Sequence, residues 1–388
     1  MNQQIHDSIR KDQQAMVDLT RDLIRIPSEN PPGKSYGDVL DVLSRALKDL
    51  GFEPEVHGEC LLAFTGERDR VLYFSGHYDV VPAQHPKQFE PDVEGNNLFG
   101  RGSSDMKSGL AAMIYAAKAV RDCGAKLNGG IGLVFVPDEE TAGPRGSRFL
   151  ESKGLLGQNA VGMLTPEPTG GVIWNANRGA ITLKIKINGK AAHVGHQFEG
   201  INAFEGMMGL AQELAELKKE VEERVTGYEI QPEKAKHSIL LLGGQSGGGT
   251  NFNVVPESCW FTVDRRINPE ENFQAEKERL LSLLSRERQG CKVEIEILQE
   301  GASAATPAIT PLGMALAKNV ASVTGSTPRF EMCPGLLETR FYAARGMPAY
   351  AYGPGLLTVS HGPNEFVPIP RIANCAVIYA LTAIDFLV

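Results

Sequence analysis

The chain has 388 residues, a length that favours two or three domains. Hydrophobic residues make up 42% and charged residues 22%, which is ordinary for globular proteins and excludes collagen-like and wholly disordered classes. The balance of 39 Lys+Arg against 47 Asp+Glu gives a net charge of -8, without the basic character of nucleic-acid or anionic-membrane binders. We therefore expect a folded protein that acts on a small molecule, with neither nucleic acid nor a membrane as partner.

The six cysteines are scattered along the chain without a Cys-x-x-Cys pair. This spacing argues against a thiolate zinc site or a redox pair and suits a reduced compartment. The N-terminal segment lacks the apolar core of a signal peptide, and no window reaches the roughly 18 uninterrupted apolar residues of a membrane span. These features predict a cytoplasmic protein.

Taken in chain order, residues 12–26 repeat apolar positions at helical spacing and stop at Pro27, which predicts a helix followed by a loop. Four runs rich in β-branched or aromatic residues come later, at 71–74, 131–136, 161–164 and 349–352. Helical stretches such as 107–121 lie between them. Strands that alternate with helices predict an α/β domain with a mostly parallel sheet.

The stretch 178–297 has a different pattern. Apolar and polar residues alternate at 181–187 and at 292–298, which indicates a half-solvated sheet, and helical patterns cover 203–225 and 270–288. The simplest organisation is a two-layer α+β lid domain, inserted into the α/β domain. We place the lid at 177–298 and the catalytic domain at 1–176 and 299–388.

A side chain able to bind metal follows each of the four apolar runs: His77, Glu140, Glu167 and His361. Ligands of open α/β sheets bind beyond the carboxyl ends of the strands, so these groups are expected to converge. Asp105, in a glycine-rich turn that opens the next helix, can reach the same place. Two imidazoles and three carboxylates suit zinc, cobalt or manganese, and the count fits two metals bridged by one carboxylate.

Five motifs resemble the M20 family of metallopeptidases and deacylases, which includes acetylornithine deacetylase, succinyl-diaminopimelate desuccinylase, aminoacylase-1 and glutamate carboxypeptidase. They are GHYDVVP at 76–82, GRGSSDMKSG at 100–109, DEE at 138–140, EPT at 167–169 and HGPNE at 361–365. The resemblance runs along nearly the whole chain. It implies a catalytic domain with metal ligands at the carboxyl ends of strands, a lid that also dimerises, and two divalent metal ions, zinc above all.

The resemblance also implies a role for each ligand. His77 and Glu167 would hold one metal, Glu140 and His361 would hold the other, and Asp105 would bridge them. A water between the two metals would be the nucleophile.

Three further residues would serve the reaction. Glu139 would act as the general base and then as the acid, and Asp79 would orient His77 through its second ring nitrogen. His193 would stabilise the oxyanion from the lid of a partner subunit, which implies a homodimer.

Three lid residues resemble positions that contact a substrate carboxylate or oxyanion: Arg178, Asn253 and Arg266. The alternative is that the two arginines pair with acids of the lid such as Glu257 or Asp264, and for Arg178 the two interpretations are equally supported. The sequence GLLETR at 335–340 departs from the family pattern, because leucines stand where relatives carry polar residues. Two leucines offer no donor to a succinyl carboxylate, which argues against a straightforward desuccinylase.

The combined features predict an amide hydrolase that removes an N-acyl group from an amino-acid-like substrate. A metallo-carboxypeptidase or conjugate hydrolase that releases a C-terminal amino acid, from a short peptide for instance, is the main alternative. A serine hydrolase is a remote one, since Ser246 lies in a G-x-S-x-G motif and Asp264 and His361 follow it. A serine nucleophile of this kind needs a helix directly after it, and residues 249–256 do not resemble the start of a helix. We therefore expect the glycines around Ser246 to form a loop between strands of the lid. A non-catalytic binding protein of the same family is the last alternative. Such a protein is expected to lack the general base or a metal ligand, and this sequence retains Glu139 and all five proposed ligands.

Overall fold

The computed structural model describes residues 1–286 and 290–388. Its internal contacts divide the chain into two compact units. The first unit comprises Met1–Asn175, Ala305–Glu331 and Leu337–Val388, and the second comprises Ala176–Ala304 and Met332–Leu336. The sequence analysis did not anticipate the short return of the chain to the second unit at Met332–Leu336.

The described residues form ten helices and eighteen strands, apart from short single-turn segments. The helices are α1 (Asn2–Lys11), α2 (Gln13–Ile24), α3 (Tyr36–Asp49), α4 (Ser108–Asp122), α5 (Ser147–Ser152), α6 (Ala203–Glu222), α7 (Phe273–Leu284), α8 (Pro311–Thr324), α9 (Thr339–Ala343) and α10 (Ile369–Leu387). The strands are β1 (Glu55–His57), β2 (Cys60–Gly66), β3 (Val71–His77), β4 (Asp92–Glu94), β5 (Asn97–Phe99), β6 (Gly130–Val136), β7 (Ala160–Thr165), β8 (Ile173–Asn177), β9 (Gly179–Asn188), β10 (Ala192–His193), β11 (Ile239–Gly248), β12 (Val254–Val255), β13 (Ser258–Ile267), β14 (Lys292–Gly301), β15 (Ala304–Ala305), β16 (Phe330–Cys333), β17 (Ala349–Ala351) and β18 (Phe366–Pro368).

The central sheet of the first unit runs in the order β1-β2-β6-β3-β7-β17-β8-β15, with β16 beside β8. Strands β6, β3, β7 and β17 are parallel, as the four apolar runs predicted. Both flanks have antiparallel pairs. On one side β1 and β2 form a tight hairpin and β2 pairs with β6 in the opposite direction, and on the other side β8 runs antiparallel to β17. Gly58 turns this hairpin with a φ of 61°. The sheet is therefore mixed, with a parallel centre.

Both faces of this sheet are buried. Along β3, Leu72 and Phe74 point into the larger core, which also takes apolar residues of α1–α4, α8 and α10. Val71 and Tyr73 point to the opposite face, into a smaller core with residues of α5 and α9. Burial on both faces explains why the first four residues of β3 are all apolar or aromatic.

Helix α10 is long and apolar enough to cross a membrane by length and composition. Two-thirds of its most apolar window, 67%, is buried inside the protein, where the helix packs against α4 and α8. This burial is typical of a core helix.

The N-terminal helix differs from its prediction. The predicted helix at 12–26 is α2, which ends at Ile24, and a separate α1 precedes it with a break at Asp12. Ile5 and Ile9 of α1 are four residues apart, on one helical face, and both are buried.

The second unit contains the predicted two layers. Its antiparallel sheet has the order β11-β13-β9-β14, and one face is covered by α6 and α7. Every second residue of β9 from Ile181 to Ile187 enters this core. Helix α6 begins after Asn202, whose side chain caps it. Helix α7 begins three residues later than predicted, and the last two residues of its prediction, 287 and 288, lie outside the described residues.

Candidate metal centre

The parallel strands bring four of the predicted ligands to one edge of the sheet. His77 is the last residue of β3, Glu140 follows β6, Glu167 follows β7, and His361 lies in the loop after β17. Since β6, β3, β7 and β17 are neighbours that run in the same direction, their carboxyl ends meet at this edge.

Asp105 reaches the same place from the turn before α4. Its Oδ1 lies 3.3 Å from Nε2 of His77, and its Oδ2 lies 3.3 Å from Nε2 of His361. Glu167 Oε2 is 4.0 Å from the same nitrogen of His77, and Glu140 Oε2 is 3.4 Å from Nε2 of His361. Asp105 thus faces a different group of ligands with each of its oxygens.

Two groups of side chains among the described residues have the spacing of a metal site. They are His77 with Asp105 and Glu167, and Asp105 with Glu140 and His361, with ligand atoms within 4.8 Å of one another in each group. The buried Oε1 of Glu167 has no hydrogen-bond partner in the protein, which is costly unless something else satisfies it. Nitrogen and carboxylate donors of this kind suit zinc, cobalt and manganese. The residues therefore fit two divalent ions.

Without metal, crowding of carboxylates in a buried place disfavours their charged forms. Burial raises the pKa of Glu167 to about 8, and burial also raises the pKa values of Glu139 and Glu140. Hydrogen bonds with Asp105 and Glu140 raise the pKa of His361 to about 11. They outweigh burial, which by itself lowers the pKa of a histidine. Positive charge placed between these side chains would relieve their repulsion.

Asp105 differs from its neighbours. Burial acts to raise the pKa of Asp105, but the hydrogen-bonded imidazoles of His361 and His77 outweigh it and hold that pKa below its usual value. Asp105 is thus the carboxylate of the cluster that stays charged most readily.

Glu139 lies beside the first ligand group without belonging to it. Its Oε2 is 3.9 Å from Nε2 of His77, and its side chain is only 11% exposed. Burial raises the pKa of Glu139, and a carboxyl group at this distance from the ligands can accept a proton and return it.

Asp79 is completely buried and contacts both halves of the site. Its Oδ1 lies 3.4 Å from Nδ1 of His77, and its two oxygens accept hydrogen bonds from the backbone N–H groups of Glu139 and Glu140. Asn30 donates to Asp79 Oδ2 at 2.9 Å. His77 Nδ1 also lies 3.0 Å from the backbone carbonyl oxygen of Asp79, so both the backbone and the side chain of Asp79 face the ring.

His193 and Asn253 lie together in the second unit. His193 pairs with Val254 in the β10–β12 ribbon, and the N–H of Val194 donates to the carbonyl of Asn253 at 3.0 Å. The ring of His193 is exposed, and its Nδ1 accepts a hydrogen bond from the N–H of Gly195.

The two lid arginines have different surroundings. Arg178 is buried, and its guanidinium donates to Asn268 Oδ1 at 3.0 Å and to the backbone carbonyl groups of Ala235 and His237. Among residues 1–286 and 290–388, the partners of the Arg178 guanidinium are an amide and two carbonyl groups and not an acid, in contrast to the ion pair considered for it. Arg266 is partly exposed and pairs with Asp264 at 2.9 Å.

The glycine-rich segment around Ser246 is not the predicted loop. Ser246 lies within β11 and pairs with Phe261 of β13, and no helix follows the strand. A register shift between Leu242 and Ser246 accommodates the extra residues as an irregularity in an edge strand. A nucleophile elbow needs a sharp turn into a helix directly after the serine, and this segment lacks it.

Sequence reasoning missed an ion pair close to the carboxylates. Glu338 and Arg340 are buried and their side chains are 3.1 Å apart. The charge of Glu338 contributes to the raised pKa values of Glu139 and Glu167. An acid and an arginine two residues apart in an otherwise apolar stretch were the available signal.

A family model and a known protein match most of the chain. Residues 73–385 match the model of peptidase family M20/M25/M40. The succinyl-diaminopimelate desuccinylase of Gluconacetobacter diazotrophicus is 28% identical over 381 residues, which cover 93% of this chain and 94% of that protein.

Solved structures share the fold along the whole chain. The M20 family metallo-carboxypeptidase Sso-CP2 of Sulfolobus solfataricus aligns with a TM-score of 0.79 at 18% identity, over 96% of this chain and 99% of the other. The dipeptidase Dug1p of Saccharomyces cerevisiae aligns with a TM-score of 0.78 at 16% identity, over 100% and 98%. The chain therefore belongs to peptidase family M20/M25/M40 and is an enzyme that acts on amides.

Proposed function

We propose that this protein is a dinuclear metal-dependent hydrolase that removes an N-acyl group from an amino-acid-like substrate. The observation that carries the proposal is the placement of Asp105, whose two oxygens face two separate ligand groups, with Glu139 beside them. We propose zinc as the metal, with cobalt and manganese as substitutes that the same donors accept.

The two ions, when bound, would polarise the amide carbonyl and lower the pKa of a water molecule. Glu139 takes the proton of the attacking water, for which its raised pKa and its 3.9 Å distance from His77 suit it. The same carboxyl group then delivers the proton to the leaving amine. Asp79 keeps the His77 ring and the backbone of Glu139 in place during both transfers.

We also propose that the enzyme is a homodimer and that His193 of one subunit serves the site of the other as the oxyanion donor. Large apolar side chains are exposed in the second unit, where a partner would cover them. They are Val194, Phe198, Phe204, Met208 and Phe252. Val194 directly follows the exposed His193 in sequence, and Phe198 lies a few residues further on. The cytoplasm remains the predicted location.

The substrate is proposed to carry a free carboxylate, read by Arg266 and Asn253. Release of a C-terminal amino acid from a dipeptide or conjugate is the second candidate, favoured by the likeness to a metallo-carboxypeptidase and a dipeptidase. Both reactions cleave an amide next to an amino-acid carboxylate and need the same machinery. They differ in the group on the other side of the scissile bond.

The test is a panel of N-acetyl, N-succinyl and longer N-acyl amino acids, together with dipeptides, assayed with zinc-, cobalt- and manganese-loaded protein. We expect hydrolysis that a strong chelator abolishes and divalent metal restores, and Ser246→Ala should retain it. Turnover that survives chelation and is lost in Ser246→Ala would support a serine hydrolase instead. Protein that binds two ions but cleaves nothing in the panel would support a non-catalytic relative.

A further inference from the structure

A single buried carboxylate gathers the turn that carries Asp105. The Oε1 atom of Glu365 accepts hydrogen bonds from the backbone N–H groups of Gly102, Ser104 and Asp105, each at 3.0 Å. Glu365 is 2% exposed. Backbone N–H groups that converge on one anion make a strong and directional site, and here the anion is a side chain of the same chain.

Arg101 links the same carboxylate to the loop of His361. Its Nη1 donates to Glu365 Oε2 at 2.5 Å, and its Nη2 donates to the backbone carbonyl of His361 at 3.3 Å. The side chains of Arg101 and Glu365 are each 1% exposed, so water competes little for these bonds. One ion pair therefore touches the backbone of two proposed metal ligands.

The His361 loop needs such support. The side chain of His361 is half exposed, and its backbone has a φ of 63°, a conformation that residues other than glycine adopt at a cost. Two more hydrogen bonds join the loops, from Gly100 N–H to the carbonyl of Glu365 at 3.0 Å and from Leu356 N–H to Ser104 Oγ at 2.7 Å.

We propose that Glu365 and Arg101 are positioning residues that fix Asp105 and His361 relative to each other, and so determine the affinity of the ion held by Asp105, Glu140 and His361. The proposal rests on the dinuclear site put forward above. His77 ends β3 and Glu167 comes shortly after the end of β7, so the positions of two ligands of the other ion are set by their own strands.

Replacing Glu365 with Gln removes the charge and puts an amide N–H₂ against a guanidinium or against three N–H donors. Loss of groups that orient metal ligands costs typically about 10- to 100-fold in metal affinity. We expect a loss of that size for the ion of the His361 group and a clearly smaller loss for the ion of the His77 group.

The experiment is a titration of metal-free protein with Co²⁺, in which calorimetry and visible absorbance report the binding steps. His361→Ala and His77→Ala identify which binding step belongs to which group. Glu365→Gln should weaken selectively the step that His361→Ala removes, and Arg101→Lys, which keeps a cation but cannot span both contacts, should do the same to a smaller degree. Glu94→Gln, an exposed acid on β4, is the matched control and should leave both steps unchanged.

Equal weakening of both steps, or no change in either, would overturn the proposal. Should Glu365→Gln fail to fold, Arg101→Lys decides alone, since a purely structural pair predicts no selectivity between steps. Wild-type protein that binds fewer than two ions would contradict the proposed function, whereas two ions with wild-type affinities in both variants would contradict only the positioning role.

Discussion

The carboxylate of Asp79 accepts a hydrogen bond from the backbone N–H of Glu139, with 3.3 Å between N and Oδ1. The same oxygen lies 3.4 Å from Nδ1 of His77. One buried residue therefore contacts both a proposed metal ligand and the proposed proton carrier, and a change in the Asp79 side chain should disturb both.

We expect Asp79→Asn to lower metal affinity and kcat/KM, each by about 10- to 100-fold, because an uncharged amide holds the ring and the two N–H groups less well. Calorimetric metal titration and steady-state kinetics measure the two effects. Asp69→Asn, at an exposed position just before β3, is the control. Unchanged metal binding in Asp79→Asn would show that His77 is oriented without it.

Glu139→Gln should keep both ions and lose hydrolysis by several powers of ten, because it removes the proton carrier and leaves all five ligands. Metal content by elemental analysis and turnover of the best substrate decide the outcome. The exposed Glu53→Gln should match wild type in both. Normal turnover in Glu139→Gln would eliminate it as the general base.

The metal-free protein should lose stability as the pH rises from 4.5 to about 8. Burial raises the pKa of Glu167 from 4.5 to about 8, and Asp105 and Glu140 raise that of His361 from 6.5 to about 11. Both groups bind more protons in the folded than in the unfolded chain over this range, so the free energy of unfolding falls as protons leave.

Urea denaturation in the presence of chelator, at pH 5, 6, 7 and 8, tests this dependence. With saturating zinc the trend should reverse, because ions bind the deprotonated ligands and binding releases protons. A chelated protein that is more stable at pH 8 than at pH 5 would refute the electrostatic account.

Arg178→Lys should lower the free energy of unfolding by about 1–3 kcal/mol, because lysine cannot reach Asn268 and two backbone carbonyl groups at once. The ratio of kcat/KM for free-acid and amide substrates should stay at the wild-type value. If the kcat/KM ratio changed and the free energy of unfolding did not, Arg178 would be assigned to substrate binding.

Arg266→Lys should reduce kcat/KM for free-acid substrates and narrow their advantage over amide or ester analogues, since only the acid loses a bidentate partner. Its side chain is partly exposed and, among the described residues, forms an ion pair with Asp264, which leaves donors for a ligand. Arg178→Lys serves as the comparison from the same unit. Equal losses for acid and amide would mean that Arg266 supports the lid.

The parallel centre of the sheet could be predicted because its strands are rich in apolar residues and a ligand-type residue lies at or beyond the end of each. His77 and Glu167 needed no knowledge of distant contacts. The β1–β2 hairpin could not be predicted in the same way, since β1 has three residues and no buried position. The position of the hairpin depends on the pairing of β2 with β6.

The burial of Arg178 could not be predicted from the sequence either, because its partners are Asn268 and carbonyl groups of a distant segment. Every residue has a backbone carbonyl group, so the sequence does not show which of them accepts a hydrogen bond, whereas an acidic partner can be recognised by its residue type. The glycines before Gly249 suggested a loop because glycine is rare in strands, yet an edge strand with a bulge tolerates them. Tertiary context decided in both cases.

The position of His361 near the end of the chain sets an order for assembly. His77, Asp105 and Glu167, one complete ligand group, are all present once Asn175 has been synthesised. The other group waits for His361 and for the loop that Glu365 and Arg101 secure. A chain cut short after Gly353 would therefore offer one full set of ligands and a second set without its imidazole, so a growing polypeptide would acquire its two binding places one after the other.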